Sequence, residues 1–169
     1  MIVALLAFML SFLAPTGASA QHSANYNHLH LAVGALYERG FDVTLGYTHE
    51  TRYHNAWEYS ASYYIKYDDD PLAGHITKDS FWNSYRTWLL GIAYKPCVSR
   101  GRNWHGNARI GVLVGSDTDK LIGGGTVGYE HTFALRGGWE LFFLLKSDVI
   151  IRGEDLFRTG AELGFKVPL

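Results

Sequence analysis

The stretch from Leu156 to Leu169 reads L-F-R-T-G-A-E-L-G-F-K-V-P-L. Phe157, Ala161, Leu163, Phe165, Val167 and Leu169 fall on one parity, with Thr159 the polar exception among them. Arg158, Gly160, Glu162, Gly164 and Lys166 fall on the other. Side chains alternate faces along a β-strand, so this stretch predicts a strand with one apolar face and one small or charged face.

The same period recurs upstream. A first strand is expected from His28 to Tyr37, with Leu29, Leu31, Val33, Ala35 and Tyr37 sharing a face. After the turn Glu38-Arg39-Gly40, a second runs from Phe41 to about Tyr53. In the third, Trp57, Tyr59, Ala61, Tyr63, Ile65 and Tyr67 alternate with Glu58, Ser60, Ser62, Tyr64 and Lys66. The longest loop, Asp68 to Ser80, precedes a fourth strand from about Trp82 to Tyr94. Pro96 to Asn103 reads as a polar turn. Three more strands follow, at about Trp104 to Val114, Leu121 to Phe133 and Trp139 to Val149, and the final one begins after Arg152 to Asp155. The count is about eight antiparallel strands joined by hairpins. No crossover helix is visible, which argues against a parallel sheet. The fold class is all-β: one up-and-down antiparallel barrel that uses nearly all of residues 21–169.

Met1 to Ala20 reads as a secretory signal peptide. Ile2 to Leu13 is apolar, Ala18-Ser19-Ala20 fits small-x-small cleavage, and Gln21 is the expected mature start; no Lys or Arg precedes the apolar run. Cys97 is the only cysteine, so no intrachain disulfide forms, and it reads as an incidental thiol in a turn. Net charge is −1 and there is no basic stripe, which argues against nucleic-acid binding. Charged residues make up 18% of the 169 and aromatics 15%, a balance suited to a large water-free surface.

Alternation alone does not orient a barrel. A soluble barrel puts apolar residues inside, a membrane barrel inverts this, and a soluble β-sandwich solvates its polar face. Three features predict inversion. Glu162-x-Gly164-x-x-Val167-x-Leu169 resembles the C-terminal signal of bacterial outer-membrane β-barrels and agrees with export. Aromatics of the apolar parity gather at strand ends. Tyr53, Trp57, Tyr94, Trp104, Tyr129, Phe133 and Trp139 fall at a periplasmic rim, and Tyr37, Phe41, Tyr67, Trp82 and Phe157 at an outer rim. The long loop then lies outside the cell. The interior is expected to hold Asp42, Glu50, Glu58, Glu130, Glu140, Asp148 and Glu162 against Lys66, Lys95, Arg109, Lys146, Arg158 and Lys166. Their signs nearly balance, so they should pair and leave no wide pore.

No catalytic, cofactor-binding or metal-binding residue is assigned. Gly123-Gly124-Gly125-Thr126-Val127-Gly128 matches G-x-G-x-x-G, but a dinucleotide site needs a helix there and strand continues instead. His28-x-His30 puts two imidazoles on one strand face without an evident third ligand. Asp68-Asp69-Asp70 reads as a solvated loop rather than a cation site, and its spacing is not that of an EF-hand. A lipid A-trimming enzyme would need His and Ser side by side. His49 and His131 are expected near the periplasmic rim and Ser147 near the outer rim, about a membrane thickness away.

From about Tyr63 onward the order of features resembles TraO proteins of Bacteroides-type conjugative elements. The resembling pieces are Asn107 to Gly115 (N-A-R-I-G-V-L-V-G), Ile122 to Glu130 (I-G-G-G-T-V-G-Y-E), Trp139 to Lys146 (W-E-L-F-F-L-L-K) and the end D-L-F-R-T-G-A-E-L-G-F-K-V. This chain is shorter, is trimmed between its fifth and sixth strands, and lacks a terminal aromatic. The resemblance implies a small exported outer-membrane barrel of a conjugative DNA-transfer apparatus, non-enzymatic, with outer-membrane lipid and other apparatus proteins as partners. The alternatives are a general small outer-membrane barrel, whether structural, adhesive or a narrow channel, and then the lipid A-modifying enzyme.

Overall fold

A computed structural model of the chain describes residues 27–37, 39–51, 53–67, 85–117 and 119–169. The signal-peptide reading, the Asp68–Ser80 loop with its three aspartates, and Trp82 fall outside them. Among the described residues nine strands occur in order: β1 Asn27–Leu36, β2 Gly40–Glu50, β3 Ala56–Lys66, β4 Tyr85–Lys95, β5 Cys97–Arg100, β6 Trp104–Ser116, β7 Leu121–Ala134, β8 Glu140–Ile151 and β9 Phe157–Pro168. Each long strand pairs antiparallel with its neighbours. β9 returns to β1, and β4 pairs with β6 across the insertion of β5. The sheet therefore closes into a barrel of eight long strands, and closure leaves no edge among them and excludes a sandwich of two sheets.

The register fixes the barrel's dimensions. Partners followed around the wall from Leu29 run through Tyr47, Tyr59, Ile92, Val112, Gly125 and Val149 to Phe157. Gly160 pairs with Leu36. Phe157, three residues before it, is thus level with residue 39, and the row closes ten residues past its start. With eight strands this stagger sets a strand tilt of about 40° and an interior just wide enough for side chains to fill.

The two faces of the wall are chemically opposite. The apolar parity points outward: Leu31 is 53% exposed, Val112 65% and Phe157 63%. The polar parity points inward, where Lys95, Lys166, Glu130 and Glu162 are buried to within 2%. The interior also holds apolar side chains. Leu89, Leu113, Ile122 and Ile150 form one cluster and Ala32, Phe142 and Leu144 another. We call the end where β1 begins and β9 finishes the lower end, and the end where β1 turns into β2 the upper end.

Two segments depart from the sequence reading. Pro96 to Asn103 is not simply a polar turn, because Cys97–Arg100 forms β5 against β6, with a register shift between Cys97 and Ser99. Pro96 has no N–H to give a ladder, but its carbonyl accepts from Ala108 N–H at 3.0 Å. The glycine run at 123–125 is the upper half of β7, as its continuation into strand implies. A Cβ at Gly124 would collide with the Val149 carbonyl oxygen on β8, so the close approach of the strands requires glycine there.

Candidate functional site: the charged interior and its lower mouth

Every interior acid and base named from the sequence is buried except Lys66, which is half-buried near the upper end. They sort into layers because each strand delivers one inward residue about every 7 Å. In the upper layer Lys66 Nζ donates to Asp155 at 2.6 Å, and the Arg158 guanidinium lies 4.1 Å over the Tyr64 ring and donates to Thr87 at 2.7 Å. Below it, Lys146 of β8 reaches Asp42 at 2.5 Å, Glu162 at 2.5 Å and Asp148 at 3.4 Å. In the next layer down Glu58 accepts from Arg109 at 2.9 and 3.1 Å and from Lys95 at 3.0 Å. Lys95 also reaches Glu130 at 2.6 Å, and Glu130 pairs with Lys166 at 2.9 Å. These pairs join β3, β4, β6, β7 and β9 through the interior, and those of Arg109 with Glu58, Lys95 with Glu130 and Lys166 with Glu130 link strands that are not ladder neighbours. A cavity of about 10 Å³ beside His30, Glu58 and Arg109 has room for one water.

His28 and His30 both point inward but serve different surroundings. His30 lies 4.0 Å from Glu58 and within 3.2 Å of Thr48 Oγ1. His28 stands at the lower mouth, where donor atoms of His28, Glu50 and Glu140 lie within 4.8 Å of one another. Glu50 belongs to a second group of the same compactness with His54 and His105. The sequence pairing of His28 with His30 missed these neighbours. Glu50 and His54 meet across one turn and His28 joins them through the β1–β2 hairpin, but His105 and Glu140 arrive only when the barrel closes.

His54 is positioned by its turn. Thr51 N–H donates to the Asn55 carbonyl at 2.7 Å, His54 N–H to the Thr51 carbonyl at 3.1 Å, and Asn107 Nδ2 to the His54 carbonyl at 2.6 Å. These bonds hold His54 at φ 61°, a left-handed conformation uncommon for a residue with a side chain. Its ring stacks on His105 with centroids 4.3 Å apart, and its Nδ1 bonds Glu50 Oε1. That bond to the Glu50 carboxylate raises the His54 pKa above the ordinary imidazole value.

The outer wall carries small polar groups that satisfy one another. Ser147 Oγ and Thr159 Oγ1 lie 2.7 Å apart, and His49 Nδ1 lies 2.7 Å from Asn27 Oδ1. His131 stacks on Trp104 at 5.0 Å and its Nδ1 lies 3.4 Å from Tyr129 Oη, which is 3.3 Å from Ser99 Oγ. His131 pairs with Phe143, four residues below Ser147. That places His131 about 13 Å from Ser147 along the wall, less than a membrane thickness but far beyond hydrogen-bond reach.

Cys97 lies half-buried in β5, with its Sγ 3.3 Å from the Ser99 carbonyl. Comparison with protein-family models, with curated proteins and with solved structures finds no match to this chain.

Proposed function

We propose that this chain is a non-catalytic β-barrel of a bacterial outer membrane and serves there as a component of a conjugative DNA-transfer apparatus. One observation carries the membrane reading: the wall is apolar outside and charged inside. A soluble barrel with Leu29, Leu31, Leu45, Leu90, Ile92, Ile110, Val112 and Leu145 on its surface would expose a continuous apolar band, which soluble monomers avoid. In a bilayer that band meets hydrocarbon. The long strands have 10 to 14 residues, against about 9–11 for a tilted strand crossing the hydrocarbon core. Exposed Tyr53, Trp57, Trp104 and Trp139 at the lower end, and Tyr37, Phe41 and Phe157 at the upper, suit the two headgroup levels. Export would use Met1 to Ala20. Net charge is −1 and the exposed Arg100, Arg102, Lys120, Arg136 and Arg152 are divided between the two ends of the barrel rather than gathered in a stripe, so the direct partners are lipid and protein.

The conjugation half of the reading rests on the order of motifs from Asn107 to the end, which resembles TraO proteins. The filled interior speaks against the channel version of a general small barrel and leaves the structural version as the second reading. Two experiments separate them. On a denaturing gel, unboiled protein from membranes should migrate faster than boiled protein, and identical migration would remove the membrane placement. A crosslinked pull-down of the tagged barrel from outer membranes should recover other transfer-apparatus proteins. Recovery of the barrel alone would leave the second reading standing.

A further inference from the structure

The lower mouth gathers five side chains that ligate metals, from four strands and one turn. His28 is near the start of β1, Glu50 ends β2, His54 sits in the following turn, His105 is near the start of β6, and Glu140 starts β8. Glu50 is common to two groups, one with His28 and Glu140, the other with His54 and His105, each with donor atoms inside 4.8 Å. Four of the five are at least nine-tenths buried. The Nδ1 of His28, a ring 5% exposed, has no hydrogen-bond partner among the described residues. Buried polar atoms are normally satisfied, so the orphaned ring nitrogen of a histidine that belongs to this cluster leaves a position for a bound ligand.

From these observations we infer that the lower mouth binds one divalent transition-metal ion of the zinc class, with Glu50 as the ligand shared by both groups. The donor set selects the class. Calcium and magnesium take oxygen ligands, whereas imidazole with carboxylate suits zinc and its neighbours. A tetrahedral zinc site separates donors by about 3.3 Å, so donors now up to 4.8 Å apart must close by as much as about 1.5 Å on binding. The stacked rings of His54 and His105 lie in near-parallel planes, and an ion must lie in the plane of each ring it bonds. One ring must therefore rotate, and His54, with a side chain 24% exposed against a buried His105, is the less enclosed of the two. Lys166 Nζ, 3.2 Å from Glu140 Oε2, opposes a cation there and makes Glu140 the weakest of the five.

The test uses the untagged mature protein refolded in detergent and stripped with chelator. Zinc chloride is titrated calorimetrically, and cobalt is added as a spectroscopic probe of the ligand field. The wild type should bind one equivalent of zinc, not calcium, and zinc should raise its urea midpoint. Glu50→Gln should weaken zinc binding at least tenfold. His105→Asn and His28→Gln test the two groups, and at least one should weaken binding tenfold. His54→Asn covers the case in which Glu50→Gln does not fold, because asparagine accepts the left-handed turn and removes only the imidazole. If wild type takes up no zinc at 100 µM, or if every folded variant binds as wild type does, the site does not exist.

Discussion

Leu145 and Lys146 are consecutive residues of β8 and live in opposite surroundings. Leu145 is 49% exposed on the outer wall, while Lys146 is 6% exposed inside, held by Asp42, Asp148 and Glu162. In an ordinary soluble domain the leucine would be the buried residue. The inversion means that the interior is held by electrostatics with exacting geometry, while the exterior, on the membrane reading proposed above, would be held by non-directional transfer into an apolar surrounding. The two faces should therefore fail differently under mutation.

The largest effect is expected inside. Lys146→Met keeps the length of the side chain and removes the cation that three carboxylates share. Removing one member of a buried ion pair costs about 3–5 kcal/mol, because the remaining charge is left uncompensated. The measurement is the urea unfolding midpoint in lipid vesicles. Adding Asp42→Asn and Glu162→Gln to Lys146→Met should recover part of the loss, since the uncompensated charges go with it. A single variant within about 1 kcal/mol of wild type would mean that the layer is wet and that the interior is not the dry, filled space its pairs describe.

On the outer wall the expected order is smaller and depends on depth. Val127→Arg and Leu145→Arg, both near mid-wall, should cost about 2–4 kcal/mol in a bilayer, and the same change at Tyr37, at the upper rim, about 0–1 kcal/mol. Equal costs at all three positions, or none, would break the comparison on the lipid side. The interior prediction would survive, because it depends on burial by protein alone.

Much of this contrast could be read from the chain, because a strand's period is 2 and one parity carries the charges. Alternation puts Glu58, Lys95, Arg109, Lys146 and Lys166 on one face, and the terminal motif and aromatic rims turn that face inward. What alternation cannot give is which inward residues meet, because partners such as Lys146 and Asp42 are 104 residues apart and are matched by barrel closure and stagger. The apolar plug was obscured for another reason. Leu89, Ile122, Phe142 and Ile150 share a parity with the charges but sit in runs apolar on both faces, such as E-L-F-F-L-L-K, where the period is lost. β5 was missed because a proline and two arginines give Pro96 to Asn103 the composition of a loop, while its hydrogen bonds come from β6. The lower mouth left no signal beyond His28-x-His30, since its other donors come from β2, the turn after it, β6 and β8.

The smallest predicted effect belongs to that mouth and sharpens the comparison at the boundary where inside meets solvent. The bond from Glu50 raises the pKa of His54 above 6.5. A group whose folded pKa is raised stabilises the fold fully below its unfolded pKa, and the contribution disappears as pH climbs through the folded value. With chelator present, the urea midpoint of wild type should therefore exceed that of His54→Asn most at about pH 5.5–6. The gap should close as pH rises past the raised value, and the half-exposure of His54 keeps it small. A gap that stays constant, or widens with pH, would show that His54 acts through its ring stacking on His105 and not through its charge. The mouth would then behave like the outer wall, held by contact, and the electrostatic interior would end one layer higher, at Lys166 and Glu130.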